Sequence, residues 1–377
     1  MLNENRTWDI FCHVVDNYGD AGVCWRLARQ LVGEYGLQVR LWIDDLAVLH
    51  RFCADVEPAR ARQSCAGITV CRWAEPLPQP LVVAEVVIET FACELPAAYR
   101  EAMRGRRSLW LNLEYLSAEA WVSGCHGLPS PQGVGGLRKF FFFPGFRPDT
   151  GGVLGERGLG QRRRAFQAGA GDDFLRRYGV TVATGALRVS LFAYASAPIA
   201  ALLQVWAAQA APIVCYVPEG NALAAAGAFF GEALRAGAVR TRGALTLVAL
   251  PFLSQDDYDR LLWSCAINFV RGEDSFVRGQ WAARPLVWHI YAQPERAHWP
   301  KLEAFLELYG AELSPSAARA MRDFWSAWNG EGAVAAAWRA YADALPELHA
   351  AAAAWAQRLE SGTNLAAALV QFCANQV

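Results

Sequence analysis

The sequence predicts an α/β protein made of two Rossmann-like halves, and three features of the chain carry that prediction. Between Leu187 and Ile290, short apolar runs alternate with helix-compatible segments in a nearly unbroken series. Residues 9–143 carry a looser version of the same alternation. Between the two, Pro144, Gly145, Pro148, Gly151 and Gly152 break the pattern and lead into a run of arginines. Alternating strands and helices specify a parallel sheet with helices on its faces, and a Gly/Pro-rich break marks a boundary. A chain of 377 residues is too long for one ordinary core, so two domains are assigned, 1–184 and 185–356.

In the first half, residues 9–15 are apolar apart from Asp9 and His13 and form the first expected strand. Gly19 turns the chain, and 23–31 follows as a helix with Val23, Leu27 and Leu31 on one face. Residues 38–43 are the next strand, which completes a βα-unit with a parallel partner. Further strands are expected at 82–90, 108–113 and 139–143, with helices near 96–104 and 117–124. Residues 144–187 read as an exposed loop with a short helix at 172–178. The basic residues there, Arg157, Arg162, Arg163, Arg164, Arg176 and Arg177, read as a solvated face, with contact to a partner protein as the sharper alternative.

The second half is cleaner. Strands are expected at 187–192, 212–217, 245–250, 265–270 and 286–290, and helices at 198–209, 221–236, 254–263 and 275–283, giving a doubly wound parallel sheet. Residues 300–377 are alanine-rich and helical. Trp325, Trp328, Trp338 and Trp355 read there as packing anchors rather than as a carbohydrate platform.

Composition narrows the function. The 35 basic and 36 acidic residues leave a net charge of −1, which argues against a nucleic-acid binder that relies on a strongly basic surface. The ten cysteines form no CxxC pair and lie mostly in apolar runs, as free buried thiols do in a reducing compartment. The six histidines show neither HxxxH nor HExxH spacing, so a zinc site has little support. Asp257-Tyr258-Asp259 has the letters of a metal-binding DxD, but it lies in the first turn of a helix, where acids favour the macrodipole. No metal is expected. Residues 1–7 are polar and no apolar run reaches the ~18 residues of a membrane span. A cytoplasmic protein is the expectation.

Two stretches carry chemistry. Asn268-Phe-Val-Arg271-Gly272-Glu273-Asp274-Ser275 reads as the end of a buried strand, a glycine turn and the start of a helix, with Asp274 and Ser275 as N-cap types. Such a unit aims backbone N–H groups and a positive helix end at one point, a ready anion site, although an ordinary capped helix has the same form. The loop Asp16-Asn17-Tyr18-Gly19-Asp20 lies at the carboxyl end of the first strand, where open α/β sheets place their ligands. It lacks a GxGxxG fingerprint. Two carboxylates across a glycine turn can converge on one cation. Asp20 also fits a helix N-cap, and Asp16 a turn cap.

With Arg271-Gly-Glu-Asp-Ser-Phe-Val-Arg278 and Asp16–Asp20, the chain resembles the bacterial protein-arginine rhamnosyltransferases, which modify an arginine of translation elongation factor P. Further matches follow in order: Asn112-Leu-Glu114-Tyr115-Leu-Ser117-Ala-Glu119, Phe143-Pro-Gly-Phe146, Pro251-Phe-Leu-Ser-Gln255 and Ile290-Tyr-Ala-Gln293. The resemblance spans nearly the whole chain. It implies the GT-B glycosyltransferase architecture, two Rossmann-like domains facing across a cleft, with the last helix, 357–377, a candidate to complete the first domain. It also implies inverting transfer of L-rhamnose from dTDP-β-L-rhamnose to the factor, a modification that relieves ribosome stalling at polyproline.

Under that resemblance the roles divide between the halves. A guanidinium has a pKa above ~12 and is a poor nucleophile as found, so a carboxylate must orient it and take a proton as it attacks. Asp20 is assigned that base, Asp16 the partner that holds the guanidinium or fixes the loop, and Glu114 the reserve. Asn17, Tyr18 and Gly19 complete the acceptor loop. On the donor side, Phe252 stacks on the base and Gln255 pairs with its edge. Phe192, Tyr194 and Tyr291 line the pocket, with Gln293 beside them. The N–H groups of Asp274 and Ser275 and the Ser275 hydroxyl hold phosphate, and Arg271 neutralises the leaving diphosphate. Glu273, also a catalytic candidate, accepts from ribose or sugar hydroxyls. Two rivals remain: another sugar-nucleotide enzyme of the same fold, such as an epimerase or a small-molecule glycosyltransferase, and a non-catalytic partner of a translation factor.

Overall fold

A computed structural model describes residues 6–16, 18–131, 137–179 and 185–376. By its contacts the chain divides into two units, Met1–Arg157 with Ser361–Val377, and Gly158–Glu360. From sequence the division was expected at 184/185 and 356/357.

The first unit is organised by β1 (Thr7–Cys12), in which Trp8, Ile10, Phe11 and Cys12 are fully buried because helices cover both faces of the sheet. Asp9, the charged exception, is held by Arg40 and by the Tyr99 hydroxyl. The other strands are β2 (Gln38–Ile43), β3 (Arg62–Cys65), β4 (Ile68–Arg72), β5 (Val86–Thr90), β6 (Leu109–Leu113), β7 (Pro129–Pro131) and β8 (Arg138–Phe142). Their order is β3-β4-β2-β1-β5-β6-β8-β7. The inner pairings are parallel, and β3 and β7 run antiparallel at the edges. The helices are α1 (Tyr18–Tyr35), α2 (Leu46–Phe52), α3 (Ala97–Met103) and α4 (Trp121–Cys125). The α2 helix and the β3–β4 hairpin lie in a stretch for which no element was expected; β3 is polar, and the largely apolar runs of α2 (Leu46–Leu49) and β4 (Ile68–Cys71) are only four residues long.

The second unit opens with α5 (Leu159–Gln167) and α6 (Gly171–Arg176), then β9 (Leu187–Leu191), α7 (Ile199–Ala207), β10 (Ile213–Pro218), α8 (Asn221–Phe230), β11 (Val239–Arg242), β12 (Leu245–Leu250), α9 (Gln255–Ser264), β13 (Ile267–Arg271), α10 (Asp274–Trp281) and β14 (Leu286–His289). The strand order is β11-β12-β10-β9-β13-β14, parallel except for β11, a polar edge strand that the sequence pattern did not indicate. Four helices follow, α11 (Trp299–Tyr309), α12 (Pro315–Trp328), α13 (Val334–Asp343) and α14 (Leu345–Ser361), with Trp325, Trp328, Trp338 and Trp355 buried.

The arginine run is corrected by the structure. Arg162, Arg163 and Arg164 lie on α5, not on a loop, and Arg163 is buried. Its guanidinium donates to the Trp281 carbonyl at 2.6 Å and to Glu360 at 3.1 Å. Both α5 and α6 pack on α9, which places them in the second unit. The cysteine expectation also changes. Cys53 and Cys65 are joined as a disulfide, and the other eight cysteines are free.

In both sheets the chain winds outward on one side of its first strand and then returns to the other side. From β1 it runs to β2 and β4, then to β5, and from β9 to β10 and β12, then to β13. The carboxyl ends of β1/β5 and β9/β13 are therefore the two switch points, where such sheets hold ligands.

The chain ends as α15 (Leu365–Asn375) within the first unit. The Asn364 side chain caps it by accepting from the N–H groups of Ala366 and Ala367, and Phe372 packs edge-on against Phe140 and Phe142, each at 5.6 Å. Gly152 lets this segment come close. It has φ +73°, and a Cβ there would lie 2.1 Å from the Thr363 carbonyl oxygen. Gly152→Ala is expected to cost more than about 2 kcal/mol in urea unfolding and to speed amide exchange across α15.

Candidate active site

At the second switch point, β13 is buried along its length. Asn268 fixes it: its Oδ1 accepts from the Ser190 hydroxyl at 2.7 Å, and its Nδ2 donates to the Leu262 carbonyl at 3.0 Å. Gly272, at φ +58°, turns the chain into α10. The Ser275 hydroxyl closes that turn. It accepts the Arg271 N–H at 2.9 Å and donates to the Arg271 carbonyl. The N-terminal N–H groups and positive end of α10 thus stand at the carboxyl end of β13.

The Arg271 guanidinium lies between two rings, its Cζ 4.6 Å from the centroid of Phe192 and 4.6 Å from that of Tyr194. Phe192 and Tyr194 are two residues apart on the extended chain after β9, so they face the same way. Tyr194 also meets His289 and Tyr291 edge-on, at 5.2 and 5.7 Å. The Tyr194 N–H donates to His289 Nδ1 at 3.2 Å. Burial, with Arg271 and His298 adding to it, pushes the His289 pKa down to about 4. Phe192, Tyr194, Arg271 and Tyr291 therefore form one contact group, and Glu273, Asp274 and Ser275 follow Arg271 directly in the chain. Glu273 is buried and its Oε2 lies 3.7 Å from Lys301 Nζ.

Phe252 is half-buried after β12, and Gln255 is the buried first residue of α9, capped by Ser254. Tyr258 is one helical turn on from Gln255 and meets Phe192 edge-on at 5.8 Å, which links α9 to the group around Arg271. The letters of the apparent DxD diverge. Asp257 pairs with Arg260 at 2.7 Å, whereas Asp259 is buried against Arg278 in a two-pronged ion pair at 2.9 and 2.5 Å that joins α9 to α10. Among the described residues, one group of three is close enough to share a metal ion, Cys53, Asp55 and Cys65, and its two sulfurs are already joined.

At the first switch point, Asp20 is buried in the first turn of α1. It is not the residue before the helix. It reaches back from inside, as an acid does in a capping box. Its Oδ2 accepts from the N–H groups of Val15 and Asp16, both at 2.9 Å, and its Oδ1 accepts from the Tyr115 hydroxyl at 2.9 Å. Gly19 donates to the Asp16 carbonyl at 2.7 Å, and a Cβ at Gly19 would stand 2.7 Å from Asp16 Oδ2, so a side chain there would push the Asp16 carboxylate aside. Tyr18 packs edge-on against Phe52 at 5.8 Å. Asn17 lies outside the described residues.

The neighbouring end of β5 is unusual. Phe91, Ala92 and Glu94 have φ of +55°, +53° and +54°, a conformation that costs each non-glycine residue about 1 kcal/mol or more. Phe91 stacks on Tyr115 at 4.1 Å, and the Ala92 N–H donates to Asn112 Oδ1 at 3.1 Å. Asn112 Nδ2 in turn donates to Glu114 at 2.5 Å. Residues without an assigned role from sequence now have contacts: Tyr115 on Asp20, His289 on Tyr194, Lys301 by Glu273, and Tyr258 on Phe192. Only Tyr115 lay within a stretch that carried the family resemblance, and Tyr258 is the middle letter of the apparent DxD. The others carry no sequence signal beyond residue type.

A family model described as Elongation-Factor P (EF-P) rhamnosyltransferase EarP matches residues 8–374. The chain is 54% identical over 376 residues to a protein-arginine rhamnosyltransferase of Pseudomonas putida, covering 98% of this chain and 99% of that one. It is 52% identical over 374 residues to the protein of that name from Pseudomonas aeruginosa, with 98% and 99% covered. A solved structure reported under "Structural basis for EarP-mediated arginine glycosylation of translation elongation factor EF-P" is similar at 41% identity and TM-score 0.71, covering 99% of this chain and 100% of that one. An apo structure of OtsA, 10% identical with TM-score 0.51, shares the fold alone. The two Rossmann-like units are those of the GT-B class.

The Asp259–Arg278 pair is a direct check on the packing of α9 against α10. Arg278→Met strands a buried carboxylate and is expected to cost roughly 3–5 kcal/mol in urea unfolding. Adding Asp259→Leu should recover most of that loss, because an apolar pair of similar volume removes the charge.

Proposed function

This chain belongs to the Elongation-Factor P (EF-P) rhamnosyltransferase family EarP and is a protein-arginine rhamnosyltransferase, and we propose that it moves L-rhamnose from dTDP-β-L-rhamnose to an arginine of EF-P by a single inverting displacement. The observation that carries the donor half is the Arg271 guanidinium, held between Phe192 and Tyr194 at the head of α10. A fixed cation beside a helix N-terminus suits a diphosphate that gains charge as it leaves.

The nucleophile is a guanidinium nitrogen of the acceptor. As its bond to C1 of the sugar forms, the bond from C1 to the diphosphate oxygen breaks, and both electrons of that bond leave with dTDP. The nitrogen becomes acidic only as it bonds to carbon, and its proton then passes to a carboxylate. Asp20 is that base. Its fixed hydrogen bonds to Val15, Asp16 and Tyr115 support the role by holding the carboxylate still. Asp16, beside it, orients the guanidinium, and Asn17, Tyr18, Gly19 and Glu114 shape the acceptor loop. Attack opposite the leaving group turns the β-linked donor into an α-linked product, through a transition state resembling an oxocarbenium ion.

On the donor side, Phe252 stacks on thymine and Gln255 pairs with its edge. Phosphate is held by the backbone N–H groups of Asp274 and Ser275. The Ser275 hydroxyl, already bonded to Arg271, acts by shaping the turn. Glu273 accepts from ribose or rhamnose hydroxyls, and Tyr291 closes the pocket beside Tyr194. Arg271 and the helix end supply the positive charge, so the scheme calls for no metal.

Asp20→Asn keeps a similar shape but removes the base. It is expected to lower the rate of EF-P modification by at least about a hundredfold, while calorimetry gives a dTDP affinity within about twofold of the wild type. Loss of dTDP binding in this variant would contradict the assignment. Phe252→Ala should weaken dTDP binding first.

A further inference from the structure

The ladder between β9 and β13 ends irregularly, beside Arg271. The Phe192 N–H donates to the Phe269 carbonyl at 3.1 Å, as a parallel pair requires. The next rung would join the Tyr194 N–H to the Arg271 carbonyl. That carbonyl accepts instead from the Ser275 hydroxyl. The Tyr194 N–H turns to a side chain from the strand beyond, His289 Nδ1 of β14, at 3.2 Å. The same imidazole meets the Tyr194 ring at 5.2 Å, and its far side meets Trp328 at 6.0 Å.

We infer that His289 is a positioning residue for the donor diphosphate: it replaces the missing rung, holds the Tyr194 ring against Arg271, and so aims the guanidinium at the leaving phosphates. This rests on the reading of Arg271 given above. His289 does not touch the reacting atoms. It acts through Tyr194, whose ring is one of the two faces against Arg271. The role requires a neutral ring with Nδ1 as acceptor and the proton on Nε2. The surroundings enforce that state. His289 is 5% exposed, and Arg271 and His298 add charge repulsion to the cost of burial. The Ile290 N–H, next in the chain, donates to Asn329 Oδ1 at 3.1 Å, which anchors this end of β14 to the helix behind.

The test compares His289→Leu, which removes the acceptor, with His289→Asn, whose side-chain oxygen can take the place of Nδ1. Binding of dTDP and of thymidine to the full chain is measured by ligand-observed NMR. His289→Leu is expected to weaken dTDP about tenfold or more while leaving thymidine within about twofold, and His289→Asn to stay within about threefold for both. In an Arg271→Gln background, His289→Leu should add less than about twofold, because the two residues act as one unit. Equal weakening of dTDP and thymidine by His289→Leu would mean general damage to the pocket and overturn the inference. So would unchanged dTDP binding in that variant. A wild-type chain that binds neither ligand would instead overturn the donor-site reading, and this inference with it.

Discussion

The Ser275 hydroxyl, bonded to both the N–H and the carbonyl of Arg271, is the constraint on which the second unit's site depends. It ends β13 and starts α10 within a few residues, and it fixes where the arginine leaves the sheet. The Arg271 carbonyl accepts this hydroxyl at the place where the ladder to β9 would continue, and the Tyr194 N–H bonds to His289 Nδ1. Buried hydrogen bonds of this kind are worth only about 1 kcal/mol net each, but leaving their groups unsatisfied costs more, so the turn has few alternatives. Asp259 and Arg278 then lock α9 to α10, and Trp288 donates to the Gly272 carbonyl at 2.9 Å from beneath.

The first unit solves a similar problem with a carboxylate. Asp20 gathers two backbone N–H groups and a tyrosine hydroxyl around one side chain, and Gly19 makes room for Asp16 next to it. The plain role and the chemical role are therefore compatible. The residue that shapes the loop is also a carboxylate held in place at a switch point. The strained residues at the end of β5, stacked through Phe91 on Tyr115, lead back to the same carboxylate. Conformational cost concentrated at one sheet end fits a site that must be rigid before its substrate arrives.

Much of this was legible in the sequence. Strands 38–43 and 245–250 were found at their observed bounds, because each is mostly apolar and mostly buried, with single polar residues such as Arg40 and Thr246 left at partly exposed positions. The Arg271–Ser275 turn was found because a strand end followed by glycine and acids is a local pattern, whereas of the stretch 16–20 read as a loop, Tyr18 to Asp20 are already the first turn of α1. What failed was not local. The edge strands β3 and β11 face solvent and are written in polar residues. Helix α5 was hidden by its arginines, since charge read as exposure, although Arg163 is buried and bonds to the Trp281 carbonyl and to Glu360 at the surface. Asp259 looked like a helix-dipole acid until α10 supplied its partner. Tyr115 on Asp20, and His289 on Tyr194, join positions about a hundred residues apart, and no spacing rule reaches that far.

The central claim is that one chain joins a thymidine-diphosphate donor site to an arginine acceptor site. The most direct measurement is intact-mass spectrometry of EF-P after incubation with this protein and dTDP-β-L-rhamnose, followed by peptide mapping. The account predicts a gain of one deoxyhexose, on one arginine. An unchanged mass, or a sugar on any other residue type, would contradict it.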